Sequence, residues 1–361
     1  MRSAVPKLVG RPATKQLAIL DYIRKQILNG ELKPGSRVIT RQELGEIFNA
    51  SAMTVQQALG RLVADGFVVA RGNAGTFVSE HPPHLARYAL VFPYSPGNSS
   101  WSRFYGALSD EAIQVGRSRA IVFESFYELD GHPDREDYQK LLREVQAHRL
   151  AGIIFATQPS HLVGTPLLDE PDLPRVAIMS ERFASLVPTI PRVSPDHASF
   201  INQAADFFLS RGRKKIAFIM LAQADDAGMD TQIVKAIEDR GMRTELCWQQ
   251  AVCSGHPQWA RNIVQMLLRG SPSERPDGLL ISDDNFVEHA IRGMIDSGLK
   301  VPDDLDVVAH CNFPWPVPSS VPVQRLGFDA REVLRVCIDM IDRQRAGETV
   351  SSMYIPAMFE K

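Results

Sequence analysis

Cysteine is scarce in this chain: four in 361 residues, at Cys247, Cys253, Cys311 and Cys337, with no C-x-x-C pair among them. That spacing argues against a zinc site and against a disulfide framework. No apolar run approaches the roughly 18 residues that a membrane helix needs. The first residues, Met1-Arg2-Ser3-Ala4-Val5-Pro6-Lys7, include basic side chains but no apolar core after them, so a signal peptide is not expected. G-x-S-x-G, the P-loop and G-x-G-x-x-G are all missing, as are low-complexity segments and fixed-period repeats. These absences point to a cytoplasmic protein that is not an enzyme, with no metal, no cofactor and no membrane partner.

What is present is a globular composition, 44% hydrophobic and 23% charged, on a chain long enough for two or three units. The net charge of −2 hides a split. Residues 1–80 hold 11 Lys+Arg and 6 Asp+Glu, a balance of +5, and the remaining residues hold 29 and 36, a balance of −7. A small basic unit beside a larger acidic one suggests that the first meets a polyanion.

Leu17, Leu20, Ile23 and Ile27 recur at helical spacing, with Gly30 as the stop. Thr40-Arg41-Gln42-Glu43 has the form of a capping box and opens a short second helix with Leu44, Ile47 and Phe48. Ser51 can cap a third, running through Val55, Ala58, Leu59, Leu62 and Val63 to Gly66. Phe67–Ala70 and Thr76–Val78, joined by Gly72-Asn73-Ala74-Gly75, read as a hairpin. The order is that of an α+β winged helix-turn-helix, assigned to residues 1–80, with a linker at 81–86.

From residue 87 onward, apolar strands alternate with amphipathic helices in two successive series. Strands are expected at Tyr88–Pro93, Ala120–Phe126, Gly152–Ala156, Val176–Met179, Ile216–Met220 and Gly278–Ile281. Such alternation means parallel, doubly wound sheets. We expect an α/β domain of two lobes, one of about 87–193 plus 310–345 and the other of about 194–309 plus 346–361.

Motifs sharpen this reading. Ile27-Leu28-Asn29-Gly30-Glu31-Leu32-Lys33-Pro34-Gly35, Thr40-Arg41-Gln42-Glu43-Leu44, Thr54-Val55-Gln56-Gln57-Ala58-Leu59 and Gly75-Thr76-Phe77-Val78 resemble, in order, the DNA-binding domain of the GntR family. Arg275-Pro276-Asp277-Gly278 through Ser282-Asp283-Asp284, and Ser297-Gly298-Leu299-Lys300-Val301-Pro302 through Val307-Val308, are similar to the effector domain of LacI-type repressors and to periplasmic binding proteins. Asp196, Ala204 and Gly212 to Ala217 fit the same pattern, whereas Cys311 stands where that family usually has Asp. The whole resembles the architecture of arabinose-type repressors.

The resemblance implies a sequence-specific transcriptional regulator, a homodimeric repressor on double-stranded operator DNA. Its DNA contacts would be Arg41, Ser51, Ala52, Thr54, Gln56, Arg71 and Gly75, with Arg41 and Thr54 on phosphates and Gly75 at the wing tip. Ala52 and Gln56 replace the usual arginines, so a thymine methyl and an adenine edge become the natural targets. The plainer alternatives are that Arg41 is a solvated charge and Gly75 only a turn. The effector would be a small polar metabolite, a sugar or a derivative, held between the lobes at the carboxyl ends of the strands. Tyr94, Ser95, Trp101, Phe104, Asp196, Phe200 and Asp284 are its candidate contacts, since aromatic faces and carboxylates together suit a sugar ring. Trp101 and Phe104 read equally well as core, and Asp196 as a helix cap. Asp284 follows the apolar strand and is expected to face the cleft, with Asp283 turned the other way. His81-Pro82-Pro83-His84 and His310-Cys311 carry no chemistry in this reading. A sugar-modifying enzyme or a solute-binding protein with an accessory helix-turn-helix is the rival assignment.

Overall fold

The computed structural model describes residues 12–129, 131–170, 173–222 and 228–361. Asp225 and Asp226, a pair that the sequence suggests is a solvated loop, lie outside these residues. Three helices open the chain: α1 (Pro12–Leu28), α2 (Arg41–Phe48) and α3 (Ala52–Ala64). The wing follows, β1 (Val68–Ala70) antiparallel to β2 (Thr76–Val78), with Arg37 bridged to Phe77 beside it. Ile19, Leu20, Ile23 and Ile27 of α1 close on Leu44, Phe48, Val55, Leu59 and Leu62 to form the core of this head. Leu17 belongs to the expected stripe but is 49% exposed; Ile19 takes its place. The 3.6-residue period permits either position, and the packing of α3 decides between them.

A short helix, α4 (Pro83–Ala86), occupies the segment expected as a linker, and Pro83 and Ala86 are buried. Next come β3 (Arg87–Val91), α5 (Arg103–Arg119), β4 (Val122–Phe126), α6 (Glu136–Gln146), β5 (Gly152–Phe155), α7 (Pro166–Asp169), β6 (Arg175–Ile178) and β7 (Arg192–Pro195). The second series is α8 (His197–Ser210), β8 (Ile216–Leu221), α9 (Met229–Glu238), β9 (Gln249–Val252), α10 (Trp259–Leu267), β10 (Gly278–Ile281) and α11 (Val287–Asp296). The chain ends with β11 (Asp306–Phe313), β12 (Gln324–Asp329), α12 (Ala330–Arg345), β13 (Met353–Ile355) and β14 (Met358–Phe359).

One sheet runs β13-β7-β6-β5-β3-β4 and is parallel throughout; the other runs β14-β12-β11-β10-β8-β9, with only β14 antiparallel. Here the structure differs from the expected lobe limits. Residues 310–329, expected in the first lobe, complete the second sheet as β11 and β12, and β13 returns to the first sheet instead of the second. Pairing along whole strands decides membership: β11 meets β12 in register from Val308↔Gln324 to Phe313↔Asp329. The chain therefore passes between lobes after β7, after β12 and after β13. A continuous buried layer joins them, from Leu90 and Phe92 of the first lobe through Phe200 and Phe328 to Val308 of the second. All four residues of β5, β6 and β10 are buried, as helices on both faces require.

Candidate nucleic-acid interface and effector cleft

The entry to α2 is a complete capping box. The Glu43 amide donates to Thr40 Oγ1 (3.2 Å), and Glu43 Oε2 accepts from the Thr40 amide (2.8 Å) and hydroxyl (2.7 Å). These bonds hold the Glu43 carboxyl below the usual carboxylate range. Arg41 is thereby the first helical residue, exposed, with its guanidinium free of ion pairs among the described residues. At α3, Ser51 Oγ accepts from the Thr54 amide (3.2 Å) and meets the Thr54 hydroxyl at 2.9 Å. Thr54 is only 6% exposed, so its hydroxyl is tied into the cap and the outward face of α3 carries Ala52, Met53, Gln56 and Gln57. Met53, 67% exposed, had no signal in the sequence beyond its place next to Ala52.

The wing closes the other side. Gly75 sits at φ +109°, and a Cβ there would lie 3.0 Å from Arg37 Nε. Only glycine satisfies both the backbone and the close approach. Arg37, not anticipated from sequence, joins Thr40, Arg41, Gln42, Gly72 and Gly75 around a concavity of about 340 Å³ between the wing and α2. Arg71 is exposed but turned along the wing, 4.7 Å over the Phe77 ring and 3.3 Å from Glu80. The arrangement offers two exposed guanidiniums, a close-approach glycine and an apolar-to-amide helix face, which suits a phosphate backbone beside a groove.

Between the lobes lies a second cavity of about 330 Å³. Ser180, Glu181 and Arg182 line it from beyond β6; His197, Gly228, Met229, Gln232, Ser282 and Asp283 line it from the second lobe. None of the seven expected effector residues is in this lining. Asp196 and Asp284 come within one residue of it. Asp196 caps α8 by accepting from the Ser199 amide (2.9 Å). Phe200 is buried against His310 and Phe328, with ring centroids 5.6 and 6.3 Å away. Ser95 donates to Glu128 (2.7 Å). Trp101 packs with Phe92 (5.0 Å) and Tyr105 (5.6 Å), Phe104 packs on Tyr105 (6.2 Å), and Tyr94 is exposed. Burial pushes the Tyr105 hydroxyl up to about 12. These aromatics form a wall at the ends of β3 and β4, separate from the cavity.

Asp283, in the lining, is followed by Asp284, which is buried outside it. Asp284, expected to face the cleft, is 2% exposed, with Oδ2 accepting from Asn312 Nδ2 (2.8 Å) and Oδ1 3.9 Å from His310 Nδ1. Asp283 faces the cavity, its Oδ1 accepting from the Asn285 amide (2.8 Å) and side chain (2.7 Å). Desolvation, reinforced by Asp284, raises the Asp283 carboxyl above its ordinary range. The expected register is off by one because β10 is buried on both faces and offers no polar alternation to read. Three contacts span the lobes nearby: Trp315 Nε1 donates to Glu111 (3.1 Å), the Arg103 amide to Asn285 (3.0 Å), and Arg103 approaches Glu288 at 3.5 Å.

Known proteins bear on both sites. Residues 15–78 match the bacterial regulatory proteins of the gntR family, and residues 205–355 match the periplasmic binding protein-like domain. The arabinose metabolism transcriptional repressor of Geobacillus stearothermophilus is 23% identical over 95% of this chain and 96% of its own. The mannosyl-D-glycerate transport/metabolism system repressor of Escherichia coli is 41% identical, over 32% of this chain and 42% of its own. Among solved structures, a regulatory protein of the LacI family from Chloroflexus aggregans superposes with a TM-score of 0.59 at 16% identity, covering 76% of this chain and 96% of its own. The chain is a DNA-binding transcriptional regulator that joins a GntR-type helix-turn-helix domain to a periplasmic-binding-protein-like effector domain.

Proposed function

We propose that the chain is a homodimeric, cytoplasmic repressor whose operator affinity is set by a sugar or sugar derivative bound between the lobes. The observation that carries this reading is the composition of the interlobe cavity. Its lining draws Ser180, Glu181 and Arg182 from one lobe and His197, Gln232 and Asp283 from the other. A ligand that touches both lobes stabilises one relative position of them over another, which is what control of a remote DNA head requires. A volume of about 330 Å³ suits a molecule of monosaccharide size, and carboxylates beside an amide and hydroxyls suit a polyol. The full-length likeness to arabinose metabolism repressors supports the sugar class. On DNA, Arg37 and Arg41 neutralise phosphates, and the exposed start of α3, with Ala52, Met53 and Gln56, meets base edges. The two heads engage a near-palindrome.

The test is a thermal-shift panel of pentoses, hexoses, sugar acids and polyols, followed by operator titration with any hit. A ligand at a hundred times its dissociation constant should stabilise by about 2.7 kcal/mol. It should also change operator affinity in the full chain. A panel in which only a non-carbohydrate metabolite shifts the transition and the operator affinity would replace the ligand class.

A further inference from the structure

The head is not suspended from the effector domain; it is bonded to it at the end of the recognition helix. Asp65, the C-cap of α3, accepts from Arg149 Nη1 at 2.7 Å and from Arg24 Nη2 of α1 at 3.3 Å. Arg149 belongs to the first lobe, between α6 and β5, and its other terminal nitrogen donates to Glu144 of α6. Glu144 in turn accepts from Arg87 at the start of β3 (3.3 Å). Signs alternate along this row, and its centre is largely buried: the side chains of Asp65, Glu144 and Arg149 are 11%, 10% and 23% exposed. A charge held that far from water, with both carboxylates shared between two arginines, is costly to leave without its partner.

A second contact seals the same joint. Phe67, just past α3 and fully buried, stacks on His84 of α4 with ring centroids 5.9 Å apart and planes at 18°. Arg345, the last residue of α12, donates to the carbonyls of His84 and Leu85. The segment that reads as a linker is therefore clamped between the head and the first lobe.

From this we infer that Arg149 is a positioning residue for DNA binding. Its bond to Asp65 sets the orientation of α3 relative to the first lobe, and so the distance and helical phase between the two recognition helices of the dimer. The inference rests on the dimeric reading proposed above. It separates two properties that a flexible tether would merge. A docked head contributes both half-site affinity and a strict spacing between half-sites, whereas a tethered head contributes only the first.

The experiment uses the full chain. A half-site is first selected from random duplex DNA with the wild-type protein. Duplexes then carry two copies at separations varied base pair by base pair over about one helical turn, roughly 10.5 base pairs. Wild type is expected to lose about tenfold or more in affinity away from one preferred spacing, as the second head loses its effective concentration. Arg149→Met keeps the length of the stem and removes the charge, and is expected to flatten that profile to within about threefold. Asp65→Asn, altered on the head's side of the bond, is expected to do the same. Arg149→Lys, which can still reach Asp65, is expected to restore part of the preference. Thermal midpoints and affinity for a single half-site check that each variant is folded. Spacing profiles of Arg149→Met and Asp65→Asn that coincide with wild type would overturn the inference. A wild type that sediments as a dimer yet binds all spacings alike would overturn the docking alone. A wild type that sediments as a monomer at binding concentrations would overturn the dimeric reading, and this inference with it.

Discussion

Arg37 and Arg41 stand exposed around the wing concavity with no ion pair among the described residues, while Asp283 in the cleft and Asp284 beside it are already bonded, one to Asn285 and the other to Asn312. The head leaves its charges to water and counterions until a polyanion arrives, so its gain on binding comes largely from releasing those counterions. The cleft has met the cost of desolvation during folding, so its polar groups are held in place before a ligand enters. The same kind of residue thus has opposite consequences. Removing an exposed arginine should change binding without touching stability, and removing the fully buried Asp284 carboxylate should change stability first.

The comparison can be broken most decisively at the head. Arg37→Ala with Arg41→Ala should lower operator affinity about a hundredfold, with the slope of log affinity against log salt falling by about 0.9 for each lost phosphate contact. Thermal midpoint and ligand-induced shift should stay at the wild-type values. An unchanged salt slope in anisotropy titrations would mean that neither side chain touches phosphate.

At the cleft the two neighbouring aspartates should part company. Asp284→Asn should cost about 1–3 kcal/mol of stability, because it replaces a buried charge-assisted acceptor opposite Asn312. Asp283→Asn should leave the midpoint nearly unchanged and weaken ligand binding about tenfold, equivalent to roughly 1.4 kcal/mol. Calorimetric midpoints and ligand titrations on the same two proteins decide it. A reversal of the two phenotypes would put Asp284 at the ligand.

The joint between head and lobe has its own signature in pH. Burial, with Arg345 and His148 nearby, lowers the His84 imidazole from 6.5 to about 4. The folded state therefore favours the neutral ring, and the unfolded chain binds the extra proton between those values. This contribution is fully present above pH 6.5 and is lost as the pH falls toward 4. By pH 5 the loss should amount to about 1 kcal/mol after allowance for the ring's partial exposure. His84→Phe keeps a ring against Phe67 and should flatten that part of the acid limb in pH-dependent denaturation.

The smallest effect is expected at Gly75. Alanine there must hold a left-handed backbone and displace Arg37, so about 1 kcal/mol of head stability and a few-fold in operator affinity should be lost. Urea titration and anisotropy on Gly75→Ala measure the two separately.

Much of the head was legible in residues alone. The Thr40–Glu43 capping box and the Ser51 cap are local bonds over three residues, and such bonds form wherever their own sequence places them. The β10 strand and its flanking helices were legible for a similar reason, since length and apolar content mark a buried parallel strand. Arg37 was not, because its significance lies in approaching Gly75, 38 positions along the chain. Nor was the chain beyond residue 309, where no helix or strand was expected and α12 packs eight residues inward, Ala330, Val333, Leu334, Val336, Cys337, Ile338, Met340 and Ile341.

By itself the sequence determined the types and order of the elements in the head, the strands β3, β4, β5, β6, β8 and β10, the split between a basic head and an acidic remainder, and the caps that start α2 and α3. These depend on periodicity and on hydrogen bonds between near neighbours, which the order of residues specifies directly. Only the tertiary structure decided which sheet takes β11, β12 and β13, that Asp283 and not Asp284 meets the cavity, and that residues 81–86 form a clamped joint instead of a tether. Each of those outcomes turns on a contact between distant segments: strand on strand, carboxylate on Asn312, and Asp65 on Arg149. In a sheet covered on both faces, apolar side chains point both ways, and no local pattern remains to say which partner or which side a residue will find.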